Sequence, residues 1–329
     1  MENLPDFVLH RPETAAEAVR LKAADPTSRY LAGGTDMIVN VRRGIETPST
    51  MIDLSAVRDI AAIEVAGDGV RIGAGVRLTE LAAHPILRER FSAVAQAAAS
   101  VAGPTHRQYG TIGGNLCLDT RCLFYNQSQW WRESNEFCLK HLGNVCHVAP
   151  GGKRCFAAFS GDVAPAMLVF DATVDLEGPA GGRTIPLAEL YRNDGMNHLT
   201  LASDEMLVSV FLPIPATGSV SAYEKARIRG SIDFPLAGAA VRIAMDDGRV
   251  ANLRIALTAV NPFPQIVDGT DALVGKPLDG ALLDVIRDMV RTQAKPMRTT
   301  TIKPWYRRRV VGALARRLTD RLAADSGRV

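Results

Sequence analysis

The spacing of apolar residues changes character repeatedly along the chain, and each change marks an element. Residues 7–10 suit a strand, and Thr14 with Glu17 forms a capping box for a helix carrying Ala15, Ala18, Val19 and Ala23 on one side. Residues 29–32 are extended and run into the turn Gly33-Gly34-Thr35-Asp36, so the opening segment reads as a short βαβ unit. Short β-type runs then predict strands at 51–54, 60–65 and 70–72, with Gly67, Asp68 and Gly69 as turn residues. Leu87, Phe91, Val94, Ala95 and Ala98 at helical spacing predict one long Ala-rich helix that ends at Gly103-Pro104. Further strands are expected at 166–177 and 206–212.

Pro213 and Pro215 mark a boundary. Beyond them strands are predicted at 221–227, 237–245 and 250–260, the last two joined through Asp246-Asp247-Gly248 as a hairpin. Leu282, Val285, Ile286, Met289 and Val290 give a helix its apolar stripe, and a final helix starts after Pro304. That helix carries Arg307, Arg308, Arg309, Arg316, Arg317 and Arg321, read as a solvated face, with a docking surface for another subunit as the alternative. The predicted class is α+β: two α/β subdomains at about 1–52 and 53–217, then a domain at 218–329 with an antiparallel sheet and helices. A length of 329 residues suits two domains at roughly 150 residues each.

Composition narrows the function. Hydrophobic residues make up 47% and charged residues 22%, which describes an ordinary globular protein with a sizeable core. A net charge of +3 gives no reason to expect nucleic acid. No apolar run reaches membrane-spanning length, and residues 1–7 lack a signal peptide's basic start and apolar core, so a cytoplasmic protein without a membrane partner is expected.

Two glycine pairs are candidates for phosphate binding: Gly33-Gly34 after a strand, and Gly113-Gly114 within Gly110-Thr111-Ile112-Gly113-Gly114-Asn115. Consecutive glycines let a backbone approach a ligand, and their N–H groups can form an anion-binding nest. Gly73-Ala74-Gly75 lacks the third glycine of a dinucleotide fingerprint, and Gly275-Lys276 is followed by Pro277 where a P-loop has a hydroxyl; both read as turns.

All five cysteines fall within residues 117–155. Cys122, Cys138, Cys146 and Cys155 match the ligand count of a cubane iron–sulfur cluster or a structural zinc site, and their spacing favours neither. They lie in segment 118–159, which has no clear periodicity; a loop of that length needs an ordering device, and a metal would supply one. His141 and His147 are alternative ligands or solvent-exposed imidazoles, and Cys117 reads as packing beside the glycine turn. No hydrolase triad or other substrate-transforming group is visible.

The ordered set of AGGTD at 32–36, IGAGVRLTEL at 72–81, GTIGGN at 110–115 and SGDVAPAMLVFDATV at 160–174 resembles the FAD-binding subunit of the molybdenum hydroxylase (xanthine dehydrogenase) family. AYEKAR at 222–227 resembles the start of that family's C-terminal flavoprotein domain. The cysteine-bearing insertion is similar to that of 4-hydroxybenzoyl-CoA reductase β subunits, where it carries a [4Fe–4S] cluster. The resemblance implies FAD contacts from Arg29, Tyr30, Leu31, Ala32, Gly33, Gly34, Thr35 and Asp36, from Thr111, Ile112, Gly113, Gly114 and Asn115, and from Val101, Asp162, Leu207 and Lys225. It implies cluster ligation by Cys122, Cys138, Cys146 and Cys155. It also implies an electron-transfer subunit: reduced ferredoxin as donor, then [4Fe–4S] and FAD, a [2Fe–2S] small subunit, and a molybdopterin large subunit where 4-hydroxybenzoyl-CoA becomes benzoyl-CoA. The expected assembly is a dimer of heterotrimers. Two other readings stay open, an FAD subunit of a hydroxylase that passes electrons to NAD or another acceptor, and a zinc-stabilised assembly subunit without catalytic function.

Overall fold

The computed structural model describes residues 4–326; residues 1–3 of the expected division 1–217 and residues 327–329 of the expected division 218–329 lie outside the described residues. Strands β1 (Val8–His10), β2 (Arg29–Leu31) and β3 (Thr50–Asp53) form a parallel sheet in the order β1-β3-β2. Helix α1 (Ala15–Ala24) makes the first crossover, and Thr14 Oγ1 accepts from Glu17 N at 3.2 Å. The Glu17 carboxylate reaches back to Glu13 N at 3.0 Å, one residue before the expected partner. Helix α2 (Met37–Arg42) follows the Gly33-Gly34 turn directly.

A five-stranded antiparallel sheet comes next, in the order β4-β5-β8-β6-β7, from β4 (Ile63–Val65), β5 (Gly69–Gly73), β6 (Thr173–Gly178), β7 (Gly181–Pro186) and β8 (Met206–Pro213). The single helix expected from Leu87 up to Gly103 is two, α4 (Pro85–Arg90) and α5 (Ser92–Ser100), and α3 (Leu78–Ala83) precedes them. Pro85 disfavours helical backbone at His84, which is extended at φ −64°, ψ 126°. The second break is at Phe91, which is fully buried against Phe170 with ring centroids 4.9 Å apart. Then come α6 (Pro104–Tyr109), α7 (Ile112–Leu116), α8 (Gln129–Ser134) and α9 (Val163–Leu168). Residues 166–168, expected as strand, belong to α9. All six α9 residues are buried, so no alternation of apolar and polar positions separates helix from strand there.

The third sheet is antiparallel, in the order β12-β11-β10-β9: β9 (Val220–Ala226), β10 (Ala237–Asp246), β11 (Arg249–Thr258) and β12 (Gln265–Ile266). One face sends Tyr223, Ala240 and Ala256 into the core beneath α5 and α9. The opposite face packs Ala239, Val241 and Ile255 against α10 (Gly280–Gln293) and α11 (Pro304–Ser326). The arginines of α11 divide between roles. Arg307 is buried and donates to the carbonyls of Leu236 at 2.8 Å and Met297 at 3.0 Å, which departs from a uniformly solvated face. Arg317 and Arg321 pair with Glu224, and Arg308 and Arg309 face solvent. Among the described residues no helix is long and apolar enough to cross a membrane.

Candidate flavin and cysteine sites

The two glycine pairs, far apart in sequence, meet in space. A Cβ at Gly33 would stand 1.8 Å from the Tyr109 carbonyl oxygen, so only glycine lets the first turn lie on the 109–110 backbone. Across this contact, a Cβ on Gly110 would be 3.6 Å from Thr35 Oγ1. Among the described residues, the N–H groups of Gly33, Gly34, Thr35 and Asp36 have no backbone acceptor. Successive unengaged N–H groups of this kind can hold an anion.

The second pair works differently. Ile112 N donates to Val76 O at 2.9 Å, Gly113 N to Ala74 O at 2.8 Å and Gly114 N to Thr111 Oγ1 at 3.1 Å. These donors are engaged in holding the turn against residues 74–76, the IGAGV segment. Glycine is still needed, for clearance: a Cβ at Gly113 would stand 2.8 Å from Ala74 Cβ, whereas at Gly114 it would meet only Thr111 Oγ1, at 3.3 Å. Gly114 therefore leaves an open face.

Asn115 extends the constellation, its Oδ1 accepting from Val163 N at 3.1 Å beside Asp162. The Asp162 carboxylate accepts from Tyr223 Oη at 2.6 Å and from Lys225 Nζ at 3.0 Å, with the Lys225 and Asp162 side chains 3% and 4% exposed. Burial pushes the Asp162 carboxyl up and the Lys225 ammonium down from their ordinary values, each opposed by the other's charge. The remaining sequence-named residues are peripheral. Arg29 pairs with Glu46 at 2.8 Å, and Tyr30 and Leu31 sit partly buried on β2 before Ala32. Leu207 is a core residue of β8, and Val101 caps α5, its carbonyl held by Arg107 at 2.8 Å.

The four cysteines of the insertion lie buried within reach of one another's charges. Cys122, Cys138, Cys146 and Cys155 are each 5–8% exposed, and Cys122 lies near enough to the other three for their charges to act on it. Burial pushes the Cys122 thiol up to about 12 and that of Cys155 to about 11, while the N–H groups of Phe124 and Ala157 oppose this. Ala157 N donates to Cys155 Sγ at 3.4 Å. The expected ligand set is not seen: among the described residues, no group of three or more His, Cys, Asp or Glu side chains is arranged to hold a metal ion. Local turns set the arrangement. Cys122, Cys138 and Cys146 each open a tight turn, their carbonyls accepting from the N–H groups of Tyr125 at 3.0 Å, His141 at 2.8 Å and Ala149 at 3.0 Å. His147 is hydrogen-bonded to the Phe137 carbonyl, and burial lowers the pKa of His141. Cys117 lies outside this group, and burial pushes its thiol up to about 12.

Three residues of these sites carry no sequence motif, and a fourth, Tyr223, lies within AYEKAR but is not among the expected contacts. Tyr223 shares a strand face with Lys225, a relation that the period of two makes available. Arg121 pairs with Asp36, lies over the Phe234 ring at 4.7 Å and hydrogen-bonds Ala158 through its backbone, so it closes the neck of the insertion and touches the Gly33-Gly34-Thr35-Asp36 turn. Lys140 donates to Asp119 at 2.6 Å, and its charge acts on Cys155. Arg132, 1% exposed, donates to the Arg43 and Gly44 carbonyls at the end of α2 at 3.2 and 2.8 Å, and its Nε and Nη1 are buried without a partner.

Fold and free-donor turn together define a two-domain flavoprotein. The family model described as the FAD binding domain in molybdopterin dehydrogenase matches residues 5–215, and that of the CO dehydrogenase flavoprotein C-terminal domain matches residues 221–322. The chain belongs to the FAD-binding subunits of the molybdenum hydroxylase family. It is 32% identical to the aldehyde oxidoreductase FAD-binding subunit of Escherichia coli, over 94% of this chain and 96% of that one. It is 27% identical to the carbon monoxide dehydrogenase medium chain of Afipia carboxidovorans, over 97% of both. The solved carbon monoxide dehydrogenase of Hydrogenophaga pseudoflava superposes with a TM-score of 0.81 at 25% identity, covering 98% of this chain and 99% of that chain.

Proposed function

We propose that this chain is the electron-transfer subunit of a reductase of the 4-hydroxybenzoyl-CoA type, holding FAD at residues 29–36 and 111–115 and a [4Fe–4S] cluster at the four cysteines. The observation that carries this reading is the cysteine pocket: four buried thiols, backbone N–H groups aimed at two of the sulfurs, and the charges of Arg132 and Lys140 reaching Cys138 and Cys155. Buried thiols resist ionisation, and an iron–sulfur group bound through thiolates supplies the partner that nearby cations and donors favour.

In this role the bound groups supply the redox chemistry, FAD exchanging electrons singly or in pairs, and the protein supplies position and potential. Residues 33–36 bind the pyrophosphate through backbone N–H groups, and Asp162 and Lys225 hold the flavin from the domain junction, with Val101 and Leu207 shaping its surroundings. The donor is a reduced ferredoxin. Exposed Trp130, at 74%, and Leu142, at 76%, on the cysteine insertion offer it an apolar contact. Electrons leave for a [2Fe–2S] small subunit and a molybdopterin large subunit in a dimer of heterotrimers, in the cytoplasm, with the acyl-CoA chemistry on the large subunit. The proposed domain division is 1–217 and 218–329.

A second reading has its own support. The relatives named above come from enzymes of aldehyde and carbon monoxide oxidation, which favours an FAD subunit that passes electrons outward to NAD or another acceptor. Anaerobic purification followed by flavin, iron and acid-labile sulfide analysis separates the two. Four iron and four sulfide per FAD are expected; stoichiometric FAD with neither iron nor sulfide would leave only the second reading.

A further inference from the structure

We propose that Arg132 is the fixed cation of the cysteine pocket, donating Nε and Nη1 to the sulfur-rich anion held by Cys122, Cys138, Cys146 and Cys155 and so raising its reduction potential. This rests on the iron–sulfur reading above.

Arg132 lies on α8 inside the insertion, and its side chain is among the largest in the protein to be fully buried. One nitrogen, Nη2, caps the carbonyls of Arg43 and Gly44, which fixes the guanidinium plane. Nε and Nη1 have no acceptor, and no carboxylate balances the charge: beyond burial, the groups that act on Arg132 are Tyr125 and Cys138. A buried guanidinium with two unmet donors is costly, and replacing the partner it needs with nothing costs several kcal/mol. Lys140 does not fill the same role, because its ammonium is already paired with Asp119 at 2.6 Å. The unmet donors of Arg132 therefore belong with an anion in the cysteine pocket. Reduction adds negative charge to that anion, and a rigid cation with two donors favours the reduced form. Arg132 is a positioning residue in this sense, since it sets the energy of the group and touches no substrate.

The test is a potentiometric titration of the full chain, prepared without oxygen and followed by electron paramagnetic resonance, for wild type, Arg132→Lys and Arg132→Met, with iron and sulfide measured on each. Arg132→Lys keeps the charge and loses the planar fork. It is expected to retain iron and to show a reduced-to-oxidised ratio about tenfold lower at the wild-type midpoint, a shift of about 59 mV to lower potential for one electron. Arg132→Met is expected to shift further in the same direction. Iron-replete variants with the wild-type midpoint and spectrum overturn the proposal. Should Arg132→Met fail to load iron, Arg132→Lys decides alone, a lowered midpoint supporting the role and an unchanged one refuting it. Wild-type chain without iron or sulfide refutes the cluster itself, a result separable from an unchanged midpoint.

Discussion

Lys225 Nζ on β9 stands 3.0 Å from Asp162 Oδ2 at the start of α9, and this buried pair ties the third sheet to the domain that carries both glycine turns. Removing one partner leaves the other charge buried and uncompensated, at a cost of about 3–5 kcal/mol. Lys225→Met is therefore expected to lower the urea midpoint and the FAD content together. The double replacement Asp162→Asn with Lys225→Met should recover part of the stability but not the flavin, as read by denaturation and by flavin absorbance.

The glycine pairs separate by mechanism. Gly33→Ala forces a Cβ into the Tyr109 carbonyl and is expected to destabilise the fold by about 1–3 kcal/mol as well as to lose FAD. Gly114→Ala meets only Thr111 Oγ1, so it should fold normally and weaken FAD binding about tenfold, near 1.4 kcal/mol. Thermal denaturation with flavin titration distinguishes them; normal FAD affinity in Gly114→Ala would show that its open face is not part of the site.

Cysteine replacement probes how far the two pockets are independent. Cys138→Ser is expected to lose iron and retain near-stoichiometric FAD, because the free donors at residues 33–36 belong to a different turn. Arg121→Ala should do the reverse, keeping iron and weakening FAD severalfold, since Asp36 loses the guanidinium that holds it. Loss of both groups from Cys138→Ser would show that the insertion is needed to build the flavin turn.

Acid stability has a readable contribution at Asp175. Against the opposing effect of partial burial, hydrogen bonds from Ser209 and Thr184 and the Arg71 charge hold this carboxyl below its ordinary value. Its stabilisation is present above the unfolded value of about 3.9 and is lost as pH falls through the lower folded value. Wild type should thus lose more stability than Asp175→Asn between pH 5 and pH 2.5 in urea titrations; parallel pH profiles would contradict this.

Much of the fold is legible wherever local chemistry and burial agree. Asp247 and Gly248 form the two-residue hairpin loop, both at positive φ, between the paired residues Asp246 and Arg249. Thr14 caps α1 as its spacing implies. Helix α9 is not legible, because complete burial removes the period that would identify it. The break at Phe91 is not legible, because the apolar spacing from Leu87 to Ala98 runs straight across it. At the site, glycine and cysteine positions carry their own signal. Arg121 and Arg132 do not, since their roles depend on which backbone or carboxylate the fold brings alongside.

Helix α2 begins at the residue that Arg121 grips and ends at the carbonyls that Arg132 caps, so one insertion holds both ends of a helix outside it. A helix clamped at both ends behaves as a ruler. Adding one residue within Met37–Arg42 would turn one end against the other by about 100° and advance it by about 1.5 Å. Neither arginine could then keep its contact without the other giving way, so the length of this short helix is fixed by the insertion as firmly as a core side chain is fixed by its neighbours.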